Sequence, residues 1–258
     1  MSDGDVPGLR IDGGVATIVL RRPSQRNSLQ DADLSALLAM LEQLDADSSI
    51  RAVVLTADTR GQKRPVFCAG YHLGGFDVAD HDPRLFEKVP DAIERARPLT
   101  ICALNGSVYG GATDMVLACD LRVALAGSEF RMPAAALGLH YYPSGLRRFV
   151  SRLGLVGAKR AFLTAQALPV ESLAALGVFE VAATVDAFDV AVQSLVRTVC
   201  ALAPLAAQAT KQSLNEIAAG RFDEAALRGR EAMTLQSADF AEGRGAFAER
   251  RAPRFTGR

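Results

Sequence analysis

Two glycine-containing turns are the parts of this sequence best suited to chemistry. One lies in residues 66–73 (VFCAGYHL) and the other in residues 105–114 (NGSVYGGATD). Small residues leave backbone N–H groups uncovered, and an N–H group at a helix start attracts negative charge. Two such turns that converge would form a pair of N–H donors for an oxyanion. The second turn ends at Asp114.

Three other motifs that carry chemistry on glycine turns do not occur. The sequence contains no G-x-x-x-x-G-K-[ST] loop, no G-x-G-x-x-G fingerprint with a ribose-binding acid downstream, and no G-x-S-x-G elbow. The sequence therefore does not indicate a P-loop nucleotide site, a dinucleotide site or a hydrolase nucleophile.

The composition is that of an ordinary globular protein. Over 258 residues, 29 Lys and Arg balance 29 Asp and Glu, so the net charge is zero. A protein that binds nucleic acid through counterion release needs a basic excess, which this chain lacks. No apolar run approaches the ~20 residues of a membrane helix, and the acidic first residues do not resemble a signal peptide. The four cysteines form no C-x-x-C pair, so we expect reduced thiols in a cytoplasmic protein without a metal.

The elements that must position these turns alternate between strands and helices. Short, β-branched apolar runs predict strands at residues 15–20, 52–56, 100–104 and 121–125. Leucines at helical spacing predict a helix over residues 31–45. Strands that are apolar throughout and alternate with helices predict an α/β fold whose sheet is covered on its faces. From about Val185 the sequence is helical, and the polar stretch 74–97 predicts a mobile loop and helix beside the binding site.

Six short motifs give the sequence a family resemblance. Their residues are 22–29 (RPSQRNSL), 67–70 (FCAG), 105–112 (NGSVYGGA), 119–124 (CDLRVA), 137–139 (LGL) and 242–255 (EGRGAFAERRAPRF). In this order they resemble the motifs RPxxRNAL, FCAG, NGxxxGGG, CDxRIA, LGL and EGxxAFxEKRxPxF of the crotonase superfamily, also called the enoyl-CoA hydratase/isomerase family. The resemblance covers nearly the whole chain.

The resemblance implies a fold, a ligand and an assembly. The fold is an α/β spiral of ββα turns. Residues 1–190 would form the core with an acyl-CoA site, and residues 191–258 a C-terminal helical region for trimerisation and CoA contact. The ligand is a coenzyme A thioester, which acts as substrate with no metal or other cofactor. The assembly is a homotrimer or a dimer of trimers, without nucleic acid or membrane.

Matching the motifs residue by residue also implies the positions of the binding groups. The backbone amides of Tyr71 and Gly111 would form the oxyanion hole for the thioester oxygen, which agrees with the two converging turns. The residues expected to contact CoA are Arg26 and Ala69 at the adenine pocket, and Phe247 and Arg250, which in the family often reach a neighbouring subunit.

The acid–base residues depart from the family pattern. A typical hydratase of the family has two glutamates, and this sequence has Asp114 and Ala134 at those positions. Hydration needs one group to activate water and another to protonate Cα, so a single, shorter carboxylate is poorly suited to it. The resemblance then implies an enzyme that stabilises a thioester enolate with Asp114 as its sole acid–base group. Isomerisation, proton exchange or weak hydration would suit such a site.

A decarboxylase is an open alternative. Residues 138–145 (GLHYYPSG) stand where the family often has a Pro/Gly-rich loop, and they resemble the methylmalonyl-CoA decarboxylase branch. In that branch a tyrosine at the position of Tyr141 lies near the leaving carboxylate, so Tyr141 and His140 are candidate catalytic residues. The branch has His directly after its SAG turn, whereas this sequence has Tyr71 and then His72.

A non-catalytic acyl-CoA binding protein is the other open alternative, because the fold can keep its ligand after losing its acids. Such a protein would bind a thioester without changing it.

The pair Arg147 and Arg148, which follows the tyrosine loop, is interpreted as a solvated helix face rather than as part of the site.

Overall fold

The computed structural model describes residues 6–72, 74, 82 and 84–258, and the described strands form two sheets. In chain order the strands are β1 (Gly8–Asp12), β2 (Val15–Leu20), β3 (Ala52–Ala57), β4 (Val66–Cys68), β5 (Leu99–Leu104), β6 (Ser107–Tyr109), β7 (Leu121–Leu125), β8 (Glu129–Arg131), β9 (Leu168–Pro169) and β10 (Glu180–Ala182). The helices are α1 (Asp31–Ala46), α2 (Leu85–Arg95), α3 (Ala112–Ala118), α4 (Pro143–Thr164), α5 (Val170–Ala174), α6 (Val185–Cys200), α7 (Pro204–Ala218), α8 (Glu224–Leu235) and α9 (Ala238–Glu249).

The chain winds between the two sheets in a regular repeat. The larger sheet has the strand order β1-β2-β3-β5-β7-β10 and the smaller sheet the order β4-β6-β8-β9. From β3 onward the chain adds one strand to the larger sheet, one to the smaller sheet and then a helix, as in β3-β4-α2, β5-β6-α3 and β7-β8-α4. The strands added by these turns pair in parallel within each sheet. This repeat confirms the α/β spiral of ββα turns.

Both faces of the larger sheet are covered, because successive residues of a strand point to opposite faces. In β3, Val53 and Leu55 belong to the main hydrophobic core. Ala52 and Val54 belong to a second cluster on the opposite face, which also contains Phe188 of α6. A strand buried on both faces must be apolar throughout, which is the pattern seen in the sequence.

Helix α1 agrees closely with the predicted helix at residues 31–45. It begins with a capping box in which Gln30 and Asp33 exchange backbone and side-chain hydrogen bonds. The buried side chains of its inner face are Asp33, Leu34, Leu37, Leu41 and Leu44.

The C-terminal third is helical, as expected, but it is divided into separate helices. The predicted break at Pro204 is the first residue of α7, and the long stretch expected after it consists of α7, α8 and α9. The predicted boundary between residues 190 and 191 falls inside α6, which packs on the larger sheet through Phe188 and Val199. Among the described residues, no single helix is long and apolar enough to cross a membrane; α6 and α7, bent by 105°, meet that test only as a pair.

The polar stretch at residues 74–97 contains helix α2, so the helical part of that prediction is confirmed. The predicted loop falls largely on residues 75–81 and 83, which lie outside the described residues. His81 is one of these residues.

Candidate active site

The two glycine turns lie against each other. Strands β4 and β6 are parallel neighbours, so the turns that follow them leave the sheet at the same edge. Gly70 has a φ of 96°, and a Cβ atom at this position would lie 2.8 Å from the carbonyl oxygen of Tyr109 and 3.4 Å from Cα of Gly110. Gly110 also has a positive φ, of 58°. Glycine is therefore required here for both the backbone conformation and the close approach of the two turns.

The segments that carry the two predicted oxyanion amides are both fixed by neighbouring backbone. The Tyr71 segment pairs with Leu29: the Leu29 amide donates to the Gly70 carbonyl (2.9 Å), and the His72 amide donates to the Leu29 carbonyl (2.8 Å). Gly111 immediately precedes α3, and no hydrogen bond in the described part of the chain uses its amide. Preorganised amides of this kind are suited to holding a carbonyl oxygen on which negative charge develops.

The side chain of Tyr71 is hydrogen-bonded to the first residue of helix α1. Its hydroxyl donates to Oδ1 of Asp31 at 2.6 Å. Burial, together with the hydrogen bond and charge of Asp31, raises the pKa of Tyr71 above its ordinary value. The predicted role of the Tyr71 backbone amide in an oxyanion hole stays a prediction.

An aromatic ring that the sequence did not single out covers the second turn. Phe86 lies in the first turn of α2, and a Cβ atom on Gly111 would lie 2.5 Å from its Cζ. The centroid of the Phe86 ring is 6.1 Å from that of Tyr71 and 6.4 Å from that of Tyr142. Phe86 thus lies between the two turns and the tyrosine loop.

The Asp114 carboxylate lies in α3, one turn after Gly111, and has no exposed surface. Arg148 of α4 binds it with two parallel hydrogen bonds, from Nε to Oδ1 (2.8 Å) and from Nη2 to Oδ2 (2.7 Å). Arg148 is also fully buried, and its Nη1 donates to Asp91 (2.7 Å) and Glu94 (3.2 Å) of α2. Three carboxylates from two helices therefore surround one guanidinium.

The prediction that Arg147 and Arg148 form a solvated face is wrong for Arg148. Burial acts to lower the pKa of Arg148, but the hydrogen bonds and charges of Asp114, Asp91 and Glu94 outweigh it and raise that pKa. Arg147 is partly buried and forms an ion pair with Glu94. A buried charge is retained only when it is paired, and this cluster supplies the pairs.

The tyrosine loop extends this cluster. The Tyr142 hydroxyl donates to Oδ2 of Asp114 at 2.6 Å, and the Tyr141 hydroxyl donates to the Tyr142 oxygen at 2.9 Å. The two rings lie 4.1 Å apart, and Tyr141 also packs against Phe149 and Phe162. Burial and the charge of Asp114 raise the pKa of both tyrosines well above the ordinary value. Both are therefore neutral phenols at pH 7.

The other positions considered for acid–base chemistry are two histidines and the second glutamate position of the family. His140 and His72 are exposed. Ala134 is buried at the start of a 3-10 helix (Ala134–Leu137), so the second glutamate position holds only a methyl group. Sequence reasoning missed Tyr142, Arg148 and Phe86 as members of the candidate site; three consecutive polar rings before Pro143 were the available signal for Tyr142.

Two of the predicted CoA contacts lie together. The Ala69 amide donates to the Arg26 carbonyl (2.9 Å), and the Arg26 guanidinium lies 5.5 Å from the centroid of the Tyr109 ring. Arg26 and Tyr109 line a groove of about 930 Å³ that also contains Lys63 and Arg64. These cations would attract the phosphates of CoA.

The other two predicted CoA contacts lie at the end of α9, outside this groove. Phe247 is 87% exposed, and Arg250 follows the last residue of α9 with a φ of 54°. Within the described residues, no group of three or more His, Cys, Asp or Glu side chains is placed to hold a metal ion. The predictions for Phe247, Arg250 and a metal-free site stay predictions.

Comparison with known proteins decides the family. The family model described as enoyl-CoA hydratase/isomerase matches residues 10–258. This chain belongs to the enoyl-CoA hydratase/isomerase family. The protein named "Probable enoyl-CoA hydratase echA6" of Mycobacterium leprae (strain TN) is 32% identical, with 95% of this chain and 96% of the relative covered. The 2,3-dehydroadipyl-CoA hydratase of Escherichia coli (strain K12) is 30% identical over the same shares.

The fold agrees with solved members of the enoyl-CoA hydratase/isomerase family. An enoyl-CoA hydratase/carnithine racemase from Magnetospirillum magneticum superposes with a TM-score of 0.88 at 25% identity, covering 98% of this chain and 96% of the other. The protein is thus an enzyme of the enoyl-CoA hydratase/isomerase type that acts on acyl-CoA, as the motifs implied.

Proposed function

We propose that this enzyme stabilises the enolate of an acyl-CoA thioester between the amides of Tyr71 and Gly111, with Asp114 as its acid–base group. The observation that carries the proposal is the close approach of Gly70 to Gly110, which brings the two amide-bearing turns together. Asp114 follows Gly111 by one helical turn, so a proton-accepting group stands beside the place where the oxyanion would form.

A single carboxylate at this site favours reactions that need only one. Ala134 offers no second acid, and the imidazoles of His140 and His72 are exposed. Double-bond isomerisation and exchange of the α-proton require one group that removes and returns a proton. Efficient hydration, which requires a second group for water, is less well supported by these residues.

The proposal for the CoA moiety rests on the basic groove beside the turns. Arg26, Lys63 and Arg64 line it, and Ala69 is hydrogen-bonded to the Arg26 carbonyl, so the phosphates and adenine would bind there. Phe247, exposed on α9, would reach CoA or a second subunit in a homotrimer or a dimer of trimers.

The test is incubation of the purified protein with saturated acyl-CoA, 2-enoyl-CoA, 3-enoyl-CoA and malonyl-type CoA thioesters in D₂O, followed by mass spectrometry. Uptake of deuterium or migration of the double bond supports the proposal. A dominant gain of water would instead show a hydratase, and loss of CO₂ a decarboxylase. The matched pair is Phe86→Leu with and without Gly111→Pro: the proline removes the amide donor while the carboxylate remains, and the leucine relieves the contact that its ring would make with Phe86.

A second candidate, a non-catalytic acyl-CoA binding protein, is favoured by one observation. Both oxygens of Asp114 are held by Arg148, so the carboxylate is occupied before any ligand arrives. If every thioester binds and none changes mass, this candidate is preferred. The position of Tyr141 does not favour the decarboxylase alternative, because its hydroxyl turns to Tyr142 and the charge of Asp114 would repel a substrate carboxylate.

A further inference from the structure

Asp114 is poorly placed to touch a substrate directly. Its side chain has no exposed surface, and its two oxygens accept three hydrogen bonds, two from Arg148 and one from Tyr142. A carboxylate that binds a guanidinium in this bidentate way is fixed in orientation. A proton that leaves the acyl group must therefore reach Asp114 through an atom that already contacts it.

Tyr142 is that contact on the side of the oxyanion turns. The residue is partly exposed, and its ring lies next to Phe86, the residue that covers Gly111. Arg148, the other group that binds Asp114, is fully buried among the carboxylates of α2. The Tyr142 oxygen donates one hydrogen bond and accepts one from Tyr141, and a phenolic oxygen has room for a further proton donor.

We propose that the hydroxyl of Tyr142 is the catalytic residue that exchanges a proton with the acyl chain, and that Asp114 and Arg148 are positioning residues that act through it. This inference rests on the proposed function, because it assigns the substrate-facing group of the same enolate-forming site.

The proton transfer is balanced as a two-proton relay. The bond between the α-carbon and its hydrogen breaks, and that proton binds the Tyr142 oxygen. The proton that Tyr142 carried moves 2.6 Å across its hydrogen bond to Oδ2 of Asp114. The electron pair of the C–H bond moves onto the thioester oxygen, which faces the amides of Tyr71 and Gly111. The reverse relay returns a proton to the α-carbon or to the γ-carbon, so no oxidant or reductant is needed.

The neighbours of Tyr142 fit this role. Because burial and Asp114 raise the pKa of Tyr142, the residue is protonated before the reaction and passes protons rather than waiting as a phenolate. When Asp114 takes up the proton it loses its charge, and Arg148 keeps Asp91 and Glu94 as partners. An arginine that faced Asp114 alone would be left as an uncompensated buried charge at that step.

The experiment compares the wild-type enzyme with Tyr142→Phe and Tyr141→Phe. Each variant removes one oxygen from neighbouring, stacked rings, but only Tyr142 touches Asp114. The readouts are the rate of α-proton exchange of butanoyl-CoA in D₂O, the binding of the same thioester by calorimetry, and the thermal midpoint as a check of folding. A further readout is the rate at which an α-tritium label is lost in H₂O and in D₂O, which shows whether a solvent-derived proton moves in the same step.

We expect Tyr142→Phe to lower the exchange rate by at least ~10²-fold, in the range for loss of an acid–base group, with thioester binding nearly unchanged. Tyr141→Phe should lose less than about tenfold, since it removes only a bond to the relay. The wild type should lose the α-tritium label more slowly in D₂O than in H₂O, because the hydroxyl proton of Tyr142, which comes from solvent, moves in the same step. Direct transfer from the α-carbon to Asp114 would move no solvent-derived proton and would not produce that difference.

The possible failures are distinguishable. If Tyr142→Phe exchanges protons at close to the wild-type rate, or if the wild type loses the α-tritium label equally fast in H₂O and D₂O, the relay is overturned while enolate formation stands. If the wild type binds the thioester and exchanges no proton, both the relay and the proposed function are overturned. If Tyr141→Phe and Tyr142→Phe lose equal activity, the Tyr142 hydroxyl has no role that the Tyr141 hydroxyl lacks, and the assignment is likewise rejected.

Discussion

Arg148 binds both carboxylate oxygens of Asp114, at 2.8 and 2.7 Å, and neither side chain is exposed to solvent. The pair joins α4 to α3 beside the turn that carries Gly111. A carboxylate that would be a mobile base in an open cleft is held here as one half of an ion pair, so its chemistry and its structural role are linked.

Substitution of Asp114 separates these two roles. We expect Asp114→Asn to lower the exchange or isomerisation rate by ~10²–10⁴-fold, because the terminal proton acceptor is lost. Affinity for the CoA thioester should change little, since CoA would lie in the groove beside Arg26. The measurements are steady-state kinetics and calorimetric binding of the same thioester. Turnover that persists in this variant would remove Asp114 from the mechanism.

The control for that experiment is Asp120→Asn. Asp120 accepts hydrogen bonds from Thr100 and forms an ion pair with Lys211 at 2.8 Å. Its loss should lower stability and leave the turnover of folded protein intact, because the residue follows α3 at the end away from Gly111.

Arg148 should carry much of the stability of this region. Arg148→Met keeps an apolar stem but leaves Asp91, Glu94 and Asp114 without their shared cation. Breaking a buried pair in this way costs about 3–5 kcal/mol. Urea unfolding should detect the loss as a lower midpoint. Arg152→Met, which removes a partly exposed arginine 3.6 Å from Glu94, should cost ~1 kcal/mol or less; an equal loss in both variants would contradict the account.

The two glycines should respond differently to a methyl group. At Gly111 the backbone has a φ of −57°, so the only obstacle is the Phe86 ring, 2.5 Å from the added Cβ. We expect Gly111→Ala to cost about 1–3 kcal/mol through overpacking, and Phe86→Leu in the same chain to restore most of it. Gly70→Ala combines a positive φ with a clash against the Tyr109 carbonyl oxygen, so Phe86→Leu should not rescue it. Thermal unfolding of the four variants checks this order.

Cysteine ionisation gives a pH-dependent test of the core. Burial raises the pKa of Cys68 to about 12, from an ordinary value of 9.0. At pH 8 the native protein should therefore react with a thiol reagent first at Cys200, the partly exposed cysteine, and slowly at the three buried ones. Rapid reaction of two or more thiols in the native protein would contradict the burial of Cys68.

The raised pKa of Cys68 makes the free energy of unfolding depend on pH in a defined direction. Between pH 9 and about 12 the unfolded chain releases the Cys68 proton while the folded chain retains it. The stability associated with this residue is therefore full below pH 9 and falls as the pH rises. Urea unfolding of wild type and Cys68→Ala at pH 8, 9.5 and 10.5 should show a smaller alkaline loss in the variant.

Much of the fold could be predicted because its signals are local. The strand at residues 15–20 has the predicted bounds, and α1 differs from its prediction by one residue at its end, since apolar spacing specifies both. The convergence of the two turns followed from small residues after neighbouring strands. The divisions between α7, α8 and α9 were missed because no proline marks them; a glycine at 220 and the Asp223 cap mark the first, and the Ser237 cap marks the second.

The charge cluster could not be predicted, for a different physical reason. Arg148 lies 34 residues from Asp114 and 57 from Asp91 along the chain, and only the folding of α2, α3 and α4 brings them together. Within its own helix Arg148 follows another arginine, which is typical of a solvated face. Tyr142 was overlooked for Tyr141 because the sequence alone does not show which of two neighbouring hydroxyls reaches Asp114, 28 residues earlier in the chain.

Helix α2 supplies both the cover of one site and the counter-charges of another. Phe86 at its beginning covers Gly111, while Asp91 and Glu94, farther along, bind Arg148. As long as this helix moves as one rod, a shift that uncovers the Gly111 amide also changes the distances from Arg148 to two of its three carboxylates. Exposure of the Gly111 amide and the electrostatic environment of Asp114 are therefore coupled through the position of α2.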